Sequence, residues 1–283
     1  MIDALAKRLT ARAFSNPLLV VGLGRSGTTV LLQALGKHPE ILSVKCESPL
    51  IYHIGGMIYD YELSEYSDWH QRSLRFPVEH LRSSLRRLIF ESVYGKHFGL
   101  FEILKKAIRM DLSIFRKRMW AARTYPQHEE ALGILQLFPN ARFVYIYRNG
   151  YDVVQSRTRY RSFRDLPFTE HCETWARHIY KYLYLRNFKQ AVSISHEEFR
   201  LQPELAFSRI FQLTGVKEHA GPADYVKSTM VHPLDQSTKK GIEVGQAFAQ
   251  RPPAYIGWST EQKETFKSVC GDAMIKMGYE IPF

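Results

Sequence analysis

The stretch from Leu18 to Leu32 constrains this chain more than any other. Leu18-Leu19-Val20-Val21 is an apolar run with the length of a buried strand. Gly22-Leu23-Gly24-Arg25-Ser26-Gly27-Thr28-Thr29 follows, and Leu31, Leu32 and Leu35 then recur at helical spacing. A strand, a glycine-rich loop and a helix in this order aim backbone N–H groups at an anion, and the helix dipole favours negative charge there. Gly22 and Gly27 occupy the glycine places of the Walker A pattern G-x-x-x-x-G-K-[ST], but Thr28 stands where its lysine belongs. Arg25, inside the loop, supplies the positive charge instead. The loop reads as a phosphate cradle that is not built for Mg-ATP.

An anionic ligand also suits the composition. The 283 residues carry a formal net charge of +11, and net positive charge of this size attracts anions. The lysines and arginines are dispersed and form no long block, which favours a small anionic ligand over nucleic acid. Cys46, Cys172 and Cys270 are too few and too scattered for a disulfide framework or a zinc site. Reduced thiols and a cytoplasmic location are the expectation. No apolar run approaches the roughly 20 residues of a membrane span. Residues 1–15 lack a signal-peptide core and read as a short basic helix. No membrane partner is expected.

Along the chain, Pro39 stops the loop helix and Ile41 to Val44 reads as a second strand. Residues 52–70 interleave Tyr52, Tyr59, Tyr61, Tyr66 and Trp69 with Asp60, Glu62, Glu65 and Asp68. Leu81, Leu85, Leu88 and Ile89 mark an amphipathic helix with Arg82, Arg86 and Arg87 on its other face, and an irregular basic helical stretch runs on to about Trp120. Arg123 to Pro126 reads as a turn, followed by a helix to Phe138. Arg142 to Tyr147, β-branched and aromatic, is the clearest strand. It ends at the turn Arg148-Asn149-Gly150, and a helix starts near Asp152. A long helix over 169–190, a strand at Ala191 to Ser195 and a helix over Leu205 to Leu213 come next. Residues 217–257 show no strong period and read as loop with short helical pieces, a candidate lid. Ser259 and Gln262 form a capping box for the last helix, and Gly278 ends it.

Strands alternating with helices predict an α/β fold with a central, mainly parallel sheet flanked by helices. Without a repeat or a linker, residues 1–283 read as one domain, with 52–122 as a mainly helical region. Arg148 is expected at the carboxyl end of its strand, where open α/β sheets bind ligands. Ser156 lies two helical turns on. The pair suits a second phosphate; the alternative is that Arg148 simply pairs with a carboxylate.

Two phosphate motifs on one sheet resemble the sulfotransferases that use 3′-phosphoadenosine-5′-phosphosulfate (PAPS). Gly24-Arg25-Ser26-Gly27-Thr28-Thr29 is similar to their 5′-phosphosulfate loop. The run Arg148 to Ser156 is similar to their 3′-phosphate motif, and Ile256-Gly257-Trp258 with Met277-Gly278-Tyr279-Glu280 resembles the tail of bacterial members. Arg25 in place of the lysine of cytosolic phenol sulfotransferases is closer to the tyrosylprotein and bacterial branches. The resemblance implies a P-loop nucleotide-kinase-like fold, PAPS as donor, 3′,5′-ADP as product, no metal, and a small-molecule acceptor bound by a monomer or homodimer. It assigns Gly24, Arg25, Ser26, Gly27, Thr28, Thr29, Arg148 and Ser156 to the nucleotide, with His196 where the family's Tyr-Glu-Asp segment has its tyrosine. Val30 replaces the family's adenine-stacking tryptophan.

Arg123-Thr124 falls where family members often have Lys-Thr, and Arg123 becomes a second catalytic cation beside Arg25. Tyr125 stands where the cytosolic enzymes have a catalytic histidine. Glu47 matches the glutamate base of the tyrosylprotein branch; His53 and His128 are the other candidate bases. A general base of this kind contributes typically about 100- to 10,000-fold. The acceptor hydroxyl or amine belongs to a polar small molecule, a natural product among them, with a carbohydrate or a tyrosylprotein as alternatives. A P-loop kinase is disfavoured by Thr28 and by the lack of an acidic pair suited to Mg2+. A polyanion-binding module would use the basic charge without turnover, with steep salt dependence.

Overall fold

The computed structural model describes residues 13–94, 116–230 and 253–283, with backbone alone for residues 45–47, 74, 94 and 230. Five strands form one parallel sheet: β1 (Pro17–Val21), β2 (Ile41–Glu47), β3 (Met119–Arg123), β4 (Arg142–Tyr147) and β5 (Ala191–Ser195). Their spatial order is β2-β3-β1-β4-β5. The chain leaves β1 for the β2–β3 side and later returns to β4 on the other. The crevice above the carboxyl ends of β1 and β4 is therefore the topological switch point, where open α/β sheets take their ligands.

Alternation along the strands feeds two cores. Leu19, Val21, Trp120, Ala122, Phe143 and Tyr145 face one side. There they meet α2 (Pro49–Glu62), α5 (His128–Leu137), α6 (Gly150–Thr158), α7 (Phe168–Tyr182) and α11 (Thr260–Lys276). Leu18, Val20, Met119, Ala121, Val144 and Ile146 face the other. They pack on α1 (Thr28–Leu35), α9 (Pro203–Thr214) and α10 (Gly221–Met230), with α8 (His196–Leu201) contributing Phe199. The expected three-layer α/β fold is the one observed. Among the described residues no helix is long and apolar enough to cross a membrane. Cys172 and Cys270 are free and buried, the Cys270 thiol donating to the Cys172 carbonyl at 3.4 Å.

Some elements differ from the sequence reading. β3 is a central strand, paired with both β1 and β2, where a helix to Trp120 and a turn from Arg123 were expected. Its residues Met119 to Ala122 are all buried. With both faces covered there is no alternation to read, and two alanines carry little strand preference. β2 runs on to Glu47, past an irregularity between Ser43 and Glu47. Residues 52–62 belong to α2 and 67–70 to α3 (Ser67–Leu74), with a turn between them, and α7 ends at Tyr182 in a tight turn over Leu183–Arg186. The amphipathic helix expected around Leu85 is α4 (Val78–Ile89). Of the candidate lid, α10 and the turn Ala254–Gly257 are described, and 231–252 lie outside the described residues. The basic N-terminal helix over residues 1–12 and segment 95–115 also lie outside them.

Helices α2 and α5 cross at two glycines. A Cβ on Gly133 would overlap the Gly55 carbonyl and stand 2.9 Å from the Tyr59 amide nitrogen. Backbone cannot yield as a side chain can. Gly56, beside it on α2, would meet only the Glu130 Cγ at 3.6 Å, an ordinary contact. Gly133→Ala should therefore destabilise the fold by about 2 kcal/mol or more, the scale of an overpacked core. Gly56→Ala should be neutral or stabilising by up to about 1 kcal/mol through helix propensity. Urea unfolding of the two variants measures the difference; equal losses would contradict the close crossing.

Candidate active site

The site is assembled along the carboxyl edge of the sheet. After β1 the chain turns at Gly22, and the Ser26 N–H donates to the Leu23 carbonyl at 3.1 Å. Arg25 (φ 79°) and Gly27 (φ 93°) both hold left-handed backbone. For Arg25 this conformation costs about 1 kcal/mol. For Gly27 it is free, and a Cβ there would also stand 2.9 Å from the His196 ring. Gly27 caps α1 without any side-chain bond, and no acidic residue sits in the first turn. The amides at this helix N-terminus thus keep their capacity for an anion. Ser26 and Thr28 are buried beneath the loop.

The second motif follows β4. Asn149 caps α6, its Oδ1 accepting from the Asp152 N–H at 2.8 Å. Arg148 donates through Nη2 to Asp152 Oδ2 at 2.8 Å and through Nη1 to the Arg25 carbonyl at 3.3 Å. Its Nε is buried without a hydrogen-bond partner. Ser156, two turns along α6, accepts from Arg25 Nε at 3.0 Å across 131 residues of sequence. Arg148 thus pairs with a carboxylate, as the alternative reading expected, and also touches the backbone of the loop. The Arg25 guanidinium lies 4.8 Å from the centre of the Tyr160 ring.

Arg123 closes β3 and donates through Nη1 to Thr29 Oγ1, in the first turn of α1, at 3.3 Å. Thr124 is fully buried, its N–H on the Val20 carbonyl at 3.1 Å and its hydroxyl on the Ser48 carbonyl at 3.3 Å. The backbone of Glu47 pairs with Arg123 at the end of β2, while its side chain lies outside the described atoms. His53 is exposed on α2, its ring 4.3 Å from that of Tyr52. His128 is exposed at the start of α5, 5.2 Å from the Tyr184 ring. Of the carboxylates in 52–70, Glu62 is held by Arg82, with Nε at 2.9 Å, and Asp68 pairs with Arg72 at 3.5 Å. Asp60 and Glu65 are exposed.

His196 lies beneath Gly27 and is 7% exposed. Burial, then the charges of Arg148 and Arg200, push its pKa down to about 3. The ring is a neutral brace for the loop. Sequence reasoning missed Asn149, Asp152, Tyr160, Glu197 and Tyr279. Only Asn149 and Asp152 carry a local signal, the spacing of a capping residue and the N–H it receives. Among the described residues no three His, Cys, Asp or Glu side chains converge as a metal site would require.

The family model for the Sulfotransferase family matches residues 17–220 of this chain. The sulfotransferase domain of the olefin synthase from Synechococcus PCC 7002 is similar in structure, with a TM-score of 0.50 and 18% identity over 94% of this chain and 96% of that one. The sulfotransferase domain from the curacin biosynthetic pathway also has a TM-score of 0.50, with 14% identity over 94% of this chain and 99% of that one. At these identities the likeness is one of fold. A comparison with curated protein sequences finds no match.

The buried histidine makes the fold acid-sensitive. Its folded pKa is below the usual value of about 6.5, so its contribution is present above that pH. It is lost as pH falls toward 3, because the unfolded chain takes up a proton that the folded chain refuses. Burial pushes His38, His171 and His178 in the same direction. Stability should fall between pH 7 and pH 4.5, by up to about 2.5 kcal/mol for His196. Urea midpoints of the wild type and His196→Gln across this range measure the share of His196; parallel pH profiles would show that it does not titrate as described.

Proposed function

The chain belongs to the sulfotransferase family, and from that premise we propose that it transfers a sulfuryl group from PAPS to a hydroxyl or amine of a polar small molecule, with Glu47 as general base. The observation that carries this reading is the hydrogen bond from Arg25 Nε to Ser156 Oγ, 3.0 Å long. It joins a loop suited to a 5′-phosphosulfate with a helix suited to a 3′-phosphate. A ligand with anionic groups at both ends fits such a site, and a simple nucleoside diphosphate uses only one of them.

The residues present fit such a nucleotide. The N-terminus of α1 has no side-chain cap, so its amides can bind the 5′ end. The Arg148 Nε is buried without a hydrogen-bond partner, and a phosphate oxygen would satisfy it. Ser156 already accepts from Arg25, which leaves its own proton to donate. When bound, PAPS supplies the activated sulfuryl group.

The chain's own groups would then divide the work. Arg25, Thr28, Thr29 and the loop amides at Gly24 and Gly27 receive the charge that grows on the departing nucleotide oxygen, while the Ser26 N–H, committed to the Leu23 carbonyl, holds the shape of the loop. Donors placed for the developing charge stabilise the transition state more than the ground state. Arg123, anchored on Thr29, is oriented toward the same end. Glu47 takes the acceptor's proton. His196 supports the loop from below and acts as a brace more than as an adenine contact. Aromatics interleaved with carboxylates in residues 52–70 would suit a cationic acceptor, but the ion pairs of Glu62 with Arg82 and of Asp68 with Arg72 commit two of those carboxylates, and a neutral polar acceptor is favoured. The two fold relatives belong to an olefin synthase and to the curacin pathway; a small natural product is the acceptor class we propose.

Transfer from radiolabelled PAPS to a panel of hydroxylated and aminated small molecules, carbohydrates and a tyrosine peptide tests the activity. With an acceptor in hand, Glu47→Gln should keep nucleotide affinity and lower turnover by about 100-fold or more, the usual scale for a general base. Near-normal turnover in Glu47→Gln, with loss in His53→Ala or His128→Ala, would move the base to a histidine. A reaction abolished by EDTA and restored by Mg2+ would favour the kinase reading.

Arg148→Ala should weaken 3′,5′-ADP by about tenfold or more, the scale of a lost charge-assisted contact, and leave 5′-ADP nearly unchanged. Calorimetry with both nucleotides measures this. Equal losses for the two would remove Arg148 from the 3′-phosphate.

A further inference from the structure

We propose that Glu197 is the positioning residue for Arg148, and that Tyr279 in the C-terminal tail holds Glu197 in place. This inference rests on the assignment of Arg148 to the 3′-phosphate. A continuous chain of hydrogen bonds carries it. Glu197 Oε1 accepts from Asn149 Nδ2 at 2.7 Å and from the Asn149 N–H at 3.3 Å. Asn149 Nδ2 also donates to Asp152 Oδ2 at 3.1 Å, and the same oxygen accepts from Arg148 Nη2 at 2.8 Å. At the other end, the Tyr279 hydroxyl donates to Glu197 Oε2 at 2.9 Å.

Each link has a reason in the fold. Tyr147 and Ser195 are paired in the register of β4 and β5. The residues just beyond the two strand ends, Asn149 and Glu197, are therefore opposite one another. Asn149 is 5% exposed, so its amide must find partners inside, and its Oδ1 is already committed to capping α6. Glu197 is the acceptor for the remaining donor. Arg148 is a long, rotamer-rich side chain, and a guanidinium fixed before the ligand arrives loses less freedom on binding. Burial and the nearby Glu197 carboxylate push the Tyr279 pKa up, so the phenol stays a donor.

The C-terminal segment grips the same helix elsewhere. Trp258 Nε1 donates to Gln155 Oε1 at 2.6 Å. The Gly150 N–H meets Met274 Sδ at 3.3 Å. A Cβ on Gly150 would stand 2.9 Å from the Phe266 ring. The family match ends at residue 220, so these contacts come from beyond the matched region. Residues 254–283 thereby brace α6, the helix that carries Ser156.

The test is calorimetric affinity for 3′,5′-ADP and 5′-ADP, with thermal unfolding, in Glu197→Ala, Glu197→Gln, Tyr279→Phe and Arg148→Ala. Glu197→Ala should weaken 3′,5′-ADP by about tenfold, the scale of one lost charged hydrogen bond, with 5′-ADP within about twofold. Tyr279→Phe, which removes one hydroxyl and keeps the ring, should shift the same ratio by about threefold. It carries the test if Glu197→Ala fails to fold. Glu197→Gln keeps an oxygen for Asn149 and should recover most of the affinity. The proposal is overturned if Glu197→Ala and Tyr279→Phe leave the ratio unchanged while Arg148→Ala lowers it, or if they weaken both nucleotides equally. An unchanged ratio in Arg148→Ala would instead remove the assignment on which the proposal rests.

Discussion

The parallel register between β1 and β4 is the constraint on which the rest of this site depends. Val20 lies opposite Val144 and Val21 opposite Tyr145, so the glycine loop and Arg148 leave the sheet at the same height. A slip of one residue would move Arg148 by about 3.3 Å along the strand and turn each side chain to the other face. Arg25 Nε, now 3.0 Å from Ser156 Oγ, would lose its partner. The sheet interior enforces the register: Val20, Val21, Val144 and Tyr145 are all fully buried and serve opposite cores in alternation. Packing in the sheet interior thus sets a distance at the candidate site.

That geometry concentrates like charge. Arg25, Arg123 and Arg148 all converge on one edge, and the backbone of Arg25 is held in a left-handed conformation. Asp152 offsets part of the charge through its ion pair with Arg148. The neutral state of His196 avoids adding to it, since burial, and after it the charges of Arg148 and Arg200, oppose a proton there. A bound anion would relieve the remaining repulsion, and any ligand that binds the folded state alone also stabilises it. Three arginines gathered at the ends of neighbouring strands and on the loop between them are a reason to read this edge as an anion site.

The legible parts of the chain were those whose chemistry is local. A glycine loop, an arginine after a strong strand and a serine two turns along each announce themselves within a few residues. β3 did not, because Met119 to Ala122 are covered on both faces and show no period. Residues 52–70 read as a run of aromatics and carboxylates. The partner that neutralises Glu62 is Arg82, on another helix, and no local pattern reveals that. Glu197 and Tyr279 were hidden for the same reason. Each is an ordinary polar residue until the β4–β5 register and the C-terminal helix bring them to Asn149. Local motifs name the groups that touch a ligand, and long-range packing names the groups that hold them still.

The sheet order also divides the site into two sides. Read across the carboxyl edge, the strands present Glu47, Arg123, the loop, Arg148 and then, just past β5, Glu197. If the nucleotide's 3′ end lies over β4 and β5, as proposed, the loop at β1 receives its 5′ end. The reacting group must then face β3 and β2, where Arg123 and Glu47 end their strands. On that proposal the acceptor side is the β2–β3 edge and the start of α2. Trp258, Met274 and Tyr279 of the C-terminal segment are committed to α6 and Glu197 on the opposite side. The two sides are therefore built from separate parts of the chain. On this proposal, changes in α2 and its neighbours alter the acceptor while the register of β1 and β4 keeps the nucleotide end intact.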